Sequence, residues 1–248
     1  MEMDHLLTFI AVGFLAQIID GALGMAYGVS ASSILLSAGV PPAVASASVH
    51  TAEAFTSAVS GIAHIRFGNV QKALFLRLAI PGMLGGAGGA YVLVSIPGER
   101  LKPYVALYLL AMGGVIIYKA FSKDHHIAHV RSKLIPLGLF GGFMDAVGGG
   151  GWGPIVSSTL MARGHEPRFA VGSVNLAEFF ITTAQVFTFV STIGINLWPI
   201  ITGLIIGGVA AAPLAAYVCK VLPARKMMAL VGLLVIFLSA RTLYLTLF

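Results

Sequence analysis

The sequence predicts an all-α polytopic membrane protein built as an inverted-topology duplication. Each half would hold two short interrupted helices, or one helical hairpin, plus three full transmembrane helices. Three observations lead there. Of the 248 residues 58% are hydrophobic and only 10% are charged, less than half the quarter usual for soluble chains. Apolar stretches of about 18 residues or more recur along the chain, long enough to cross a bilayer. And the chain writes one glycine-rich pattern twice, in a constant register.

The register begins with "DGALGMAYGVSASS" over "DAVGGGGWGPIVSS". Asp20 falls on Asp145, Gly24 on Gly149, Tyr27 on Trp152 and Gly28 on Gly153. Without a gap, Pro42 then falls on Pro167. "ASVHTAEAF" falls on "GSVNLAEFF", so that Ser48 meets Ser173, His50 meets Asn175 and Glu53 meets Glu178. A gapless match that keeps acids, glycines, proline and aromatics is not a by-product of apolar composition. It divides the chain into repeats 1–123 and 124–248.

Five pieces are expected in each repeat. In the first they are Leu6–Ile19, Val29–Ala38, Ala43–Ile65, Ala73–Ile96 and Pro103–Phe121. In the second they are Leu134–Met144, Ile155–Ala162, Ala170–Thr192, Trp198–Cys219 and Met227–Phe248. The first two pieces of each repeat are short. At a rise of about 1.5 Å per residue, a piece of about ten residues reaches halfway through a hydrocarbon layer of about 30 Å. They form either a re-entrant hairpin or two short or tilted crossings, and the chain returns to the side it left. One face then collects Arg66, Lys72, Arg77, Lys119, Lys123, Arg131, Lys133, Arg163, Arg168, Lys220, Arg225 and Lys226. The positive-inside rule puts that face in the cytoplasm, and both termini outside. A single broken crossing would scatter the bases over both faces. The odd number of side changes per repeat inverts the second repeat, the topology of alternating-access carriers.

The formal charge of +6 thus reads as membrane orientation, not as nucleic-acid binding. Cys219 is the single cysteine, which leaves no intrachain disulfide and no thiolate cluster. Acidic Glu2 and Asp4 precede the first apolar piece, unlike a cleavable signal peptide.

The duplicated glycine turns break the apolar pattern at depth, where irregular backbone survives only inside protein or beside a water-filled cavity. Glycine permits left-handed dihedrals and close approach. Helices starting near Gly28 and Gly153 would offer free N–H groups and positive dipole ends to an anion. Tyr27 and Trp152 could wall the cavity. Candidate binding residues are therefore Gly24, Tyr27, Gly28, Gly149, Gly150, Trp152 and Gly153. Ser48, His50, Ser173 and Asn175 join them, on the helices that follow. Packing alone does not ask for an acid and an aromatic at matching places. The runs "GGAGGA" and "GLIIGG", which lack both, read as helix-packing surfaces.

Four acids lie in the apolar slab: Asp20, Glu53, Asp145 and Glu178. Acids there face a cavity or a partner. His50 lies three residues before Glu53, on one helical face. For Glu53 and Glu178, proton coupling and a structural lock fit equally; for the aspartates, capping of local backbone fits better. Arg77 and Arg241 are expected to snorkel. The run "HHIAH" (His125, His126, His129) reads as a solvated loop, and no metal or cofactor is expected.

With these residues in hand, the chain resembles the TauE/SafE sulfite-exporter family, the TSUP permeases. The likeness rests on the two turns "DGALGMAYG" and "DAVGGGGWG", each followed by a proline-led helix carrying "SVHTAE" or "SVNLAE". The resemblance implies a carrier of small anions in a prokaryotic plasma membrane, with sulfite, sulfonates such as sulfoacetate, or related organic anions as solutes. The first turn departs from the glycine-rich pattern, with Ala26 and Tyr27 where the second has Gly151 and Trp152. A channel-like anion pore is the first alternative. An intramembrane enzyme is weaker, because the chain has no HExxH and no GxSxG, and with no Walker loop it holds no ATP-driven pump.

Overall fold

A computed structural model describes residues 2–23, 25, 27–122, 133–163, 165–194, 198–221 and 224–248. Gly24, the "HHIAH" run and the loop charges Lys123, Asp124 and Arg131 lie outside the described residues. The first half contains α1 (Glu2–Leu23), α2 (Tyr27–Ser37), α3 (Pro42–Arg66), α4 (Lys72–Ser95) and α5 (Gly98–Phe121). The second contains α6 (Leu134–Gly148), a π-helical turn (Gly153–Ser157), α7 (Ser158–Ala162), α8 (Pro167–Thr192), α9 (Trp198–Val221) and α10 (Ala224–Leu247). The spacing that sets Asp20 on Asp145 carries the start of α3 onto the start of α8. It carries α4 and α5 onto α9 and α10 with each end displaced by one residue.

Among the described residues four helical stretches are long and apolar enough to span a membrane: Lys72–Ser95, Gly98–Phe121, Phe169–Thr192 and Met228–Leu247. The protein is an all-α polytopic membrane protein. Its surface is inside out relative to a soluble domain: Leu84, Phe187, Leu230 and Phe237 are exposed, while His50, Glu53, Asp145 and Gln185 are buried. Helix α3 has the length to span, at 25 residues, but its serines, His50 and Glu53 lower its hydropathy. That polar face is buried, and α3 packs on α8.

Glycines set the packing of the remaining helices. Helix α4 lies on α6, and α9 lies on α1. A Cβ added at Gly85 would strike the backbone of Leu139 on α6, and one at Gly89 would strike that of Phe143. On α9, Gly203 and Gly207 meet Phe9, Ile10 and Phe14 of α1 in the same way. Both glycine runs are therefore close-approach surfaces, as expected from sequence. Helix α5 packs on α10. The exposed Arg241 guanidinium donates to the carbonyl and hydroxyl oxygens of Ser37 at 2.8 and 2.7 Å, tying α10 to α2.

The first piece is longer than expected. It continues past Ile19 through Asp20 to Leu23, because one glycine at position 21 does not stop a helix that Ala22 and Leu23 can extend. The second interrupted element also differs. A π-helical turn opens it at Gly153, where Pro154 supplies no N–H to a regular helical ladder.

Candidate functional site

The second glycine turn is built around the end of α6. The N–H groups of Gly149 and Gly150 both return to the Asp145 carbonyl, the latter at 3.0 Å. Gly149 has φ 69° and Gly150 φ 150°, dihedrals that glycine adopts without a steric cost. The carbonyls thus freed are collected by other helices. Ser32 of α2 donates to the Gly149 carbonyl, and Tyr108 of α5 donates to that of Gly150 at 3.0 Å. Lys119, near the end of α5, donates to the Pro154 carbonyl at 2.8 Å.

Asp145 organises the turn. Its Oδ1 accepts the Trp152 backbone N–H at 2.9 Å. Its Oδ2 accepts the Gln185 side-chain amide at 3.0 Å and faces His50 Nε2 at 3.1 Å. His50 Nδ1 lies 2.7 Å from the Ser46 carbonyl, so that nitrogen carries a hydrogen. The other nitrogen and the carboxylate then share one proton, in a pair whose side chains are 0% and 2% exposed. Ser46 Oγ completes the bridge by donating to the Ala146 carbonyl at 2.6 Å.

The first turn repeats part of this plan. The Tyr27 backbone N–H donates to Asp20 Oδ1 at 3.4 Å, the counterpart of the Trp152–Asp145 bond. Both leading amides that the sequence offered to an anion are therefore occupied by the chain's own aspartates. The aromatic tips are also engaged, Tyr27 on the Leu204 carbonyl at 3.4 Å and Trp152 on the Val174 carbonyl at 3.1 Å. In the place corresponding to His50, Asn175 donates to the Val171 carbonyl at 3.0 Å and accepts from Ser60 at 3.3 Å.

The two turns touch. A Cβ added at Gly28 would lie 2.6 Å from the Gly150 Cα and 3.0 Å from the Gly149 carbonyl oxygen. Beside this contact is a cavity whose described walls are Asp20, Met25, Gly28, Val29 and Glu53 from one half and Asp145, Gly151, Gly153, Pro154 and Glu178 from the other. It is small: about 10 Å³ is open to the centre of a water molecule, room for roughly one water. Glu53 Oε2 is buried and has no protein hydrogen-bond partner.

Of the residues singled out from sequence, Asp20, Gly28, Glu53, Asp145, Gly153 and Glu178 line this cavity. Gly149 and Gly150 form the backbone contact beneath it. Tyr27, Trp152 and His50 stand behind it with their polar atoms bonded to protein. Ser48 donates to its own helix at Val44, and Ser173 accepts the Gln71 N–H at 3.0 Å. Gly24 lies outside the described residues. Sequence reasoning missed Ser32, Ser46, Tyr108, Lys119 and Gln185 as partners of the second turn. The serine pair closing each quoted turn and the lone glutamine in an apolar stretch were the available signals. Among the described residues no group of three or more His, Cys, Asp or Glu side chains is placed to hold a metal ion.

Comparison with known proteins places this geometry in context. The family model described as sulfite exporter TauE/SafE matches residues 9–242. A protein of Bacillus subtilis (strain 168), described as the probable membrane transporter protein YtnM, is 44% identical over 251 aligned residues, covering 97% of this chain and 83% of the relative. No solved structure matches the chain.

Proposed function

We propose a mechanism from one premise: the chain belongs to the sulfite exporter TauE/SafE family and is a membrane anion transporter, not an enzyme. It sits in a bacterial membrane as a multi-pass protein, and in our reading it moves small sulfur-containing anions, sulfite or sulfonates such as sulfoacetate, by alternating access. The single observation that carries this reading is the cavity wall. Four of its residues have their duplicate in the same wall: Asp20 with Asp145, Gly28 with Gly153, Val29 with Pro154, and Glu53 with Glu178. A cavity straddling two like halves is where a rocking inverted repeat would bind its solute. The matched helix boundaries and the paired contacts α1 on α9 and α4 on α6 support that inversion. Loop charge supports a cytoplasmic basic face with both termini outside.

The four carboxyl groups around the cavity decide how an anion can be carried. Like charges a few ångströms apart repel by several kcal/mol at the dielectric of a partly buried site, about 4 kcal/mol at 4 Å. An anion entering beside ionised Glu53 and Glu178 would meet that cost. Protons on the two glutamates remove it and convert them into hydrogen-bond donors. Asp20 and Asp145 hold the turns, and Gly28 and Gly149–Gly150 form the closed contact that must part before a solute enters. The test is transport by purified protein in liposomes. Saturable uptake of radiolabelled sulfite or sulfoacetate, accelerated by unlabelled anion on the opposite side, is the expected result. Flux that neither saturates nor responds to the opposite side would mark a pore instead.

A further inference from the structure

Lys119 is a cation in an unusual posture. It lies in the last turn of α5, where a lysine ordinarily extends its ammonium to the headgroups. Its neighbours Tyr118 and Phe121 do point outward and are 73% and 64% exposed. Lys119 instead turns inward, half-buried, and ends on the Pro154 carbonyl at 2.8 Å. Pro154 is part of the cavity wall. Among the described residues no carboxylate is seen within ion-pair distance of the ammonium. A neutral carbonyl satisfies one hydrogen of the ammonium but not its charge.

The Pro154 carbonyl, with two lone pairs, accepts the Ser158 hydroxyl as well as the ammonium. The tie is specific to the second half. The corresponding first-half position, Val29, has no such cation: the spacing that relates the halves sets Tyr244 where Lys119 would recur, and Tyr244 is 66% exposed. Lys119 is, among the described residues, the one lysine or arginine whose charged group bonds a cavity-lining residue. The ionisable groups of the walls are otherwise all carboxyl groups, which offer an anion no positive charge.

We propose that Lys119 is the anion-recognising residue of the transport site, parked on the Pro154 carbonyl in the closed state and transferred to the solute when the two turns part. The inference rests on the anion-carrier reading above. It makes Lys119 a specificity determinant: it would favour solutes with more negative charge, and it places recognition on one half of a duplicated cavity.

The experiment measures initial uptake rates in proteoliposomes, using whichever of sulfite and sulfoacetate the wild-type protein carries faster. Lys119→Gln should raise KM about 10-fold or more while the maximal rate stays within about 2-fold, the pattern of lost binding as opposed to lost turnover. Lys119→Arg, which keeps the charge, should stay within about 3-fold of wild-type KM. If Lys119→Gln does not fold, Lys119→Cys in a Cys219→Ser background provides the same comparison. Aminoethylation, which rebuilds a lysine-like ammonium, should restore a low KM, and carbamidomethylation should not. An unchanged KM for Lys119→Gln, or equal recovery with both reagents, overturns the inference while leaving the carrier reading intact. Wild-type protein that carries neither anion overturns both.

Discussion

The two glycine turns occupy equivalent places in the chain but are held differently. The second is gripped from four helices: Ser32 on α2, His50 on α3, Tyr108 on α5 and Gln185 on α8 all bond Asp145 or the turn carbonyls. In the first, where Gly24 and Ala26 lie outside the described residues, Asp20 accepts the Tyr27 N–H at 3.4 Å and has no described partner on another helix. The substitution of Asn175 for His50 and of Ser60 for Gln185 explains much of this. Ser60 reaches only Asn175, and Asn175 turns to its own helix. The duplicated scaffold has thus given Asp145 partners on two other helices, His50 and Gln185, that Asp20 lacks among the described residues.

Removing the anchor's charge should have the largest effect. In Asp145→Asn, His50 keeps its burial but loses its ionic partner, and breaking a buried pair in this way costs about 3–5 kcal/mol. Among the described residues Asp20 accepts one weak bond, so Asp20→Asn should cost about 1 kcal/mol or less. Thermal unfolding in detergent should therefore show a much larger drop for Asp145→Asn; equal drops would erase the contrast between the turns. Gly28→Ala is next. Its new methyl group would be driven into the Gly150 backbone, and crowding of this kind costs about 1–3 kcal/mol. We expect slowed transport with a modest loss of stability, read by uptake rate and melting temperature on the same sample. Tyr108→Phe is the smallest. It deletes one of the bonds to the turn carbonyls, worth about 1 kcal/mol, and should lower the melting temperature without abolishing uptake.

Much of this architecture is legible in the sequence because it is periodic or local. Pro42 and Pro167 open α3 and α8 as a proline in a first turn should. The glycine runs on α4 and α9 announce close helix contacts. Asp145 and Asp20 lie within seven residues of the amides they cap, near enough for local reasoning. The His50–Asp145 pair, 95 residues apart, and the Gln185 and Tyr108 bonds are not legible. They depend on how whole helices are rotated about their axes, which packing sets and the chain order does not. The tightness of the Gly28–Gly150 contact is hidden for the same reason: a glycine permits close approach without specifying what approaches.

In our reading, acids from both halves share one cavity and carry protons with the anion. Anion uptake into proteoliposomes under an imposed proton gradient, comparing wild-type protein with Glu53→Gln and Glu178→Gln, decides it. Our reading predicts gradient-driven uptake in the wild type and a weakened response in each variant alone, although the two glutamates sit on different helices, α3 and α8. Uptake indifferent to the gradient, or variants that respond as the wild type does, would contradict it.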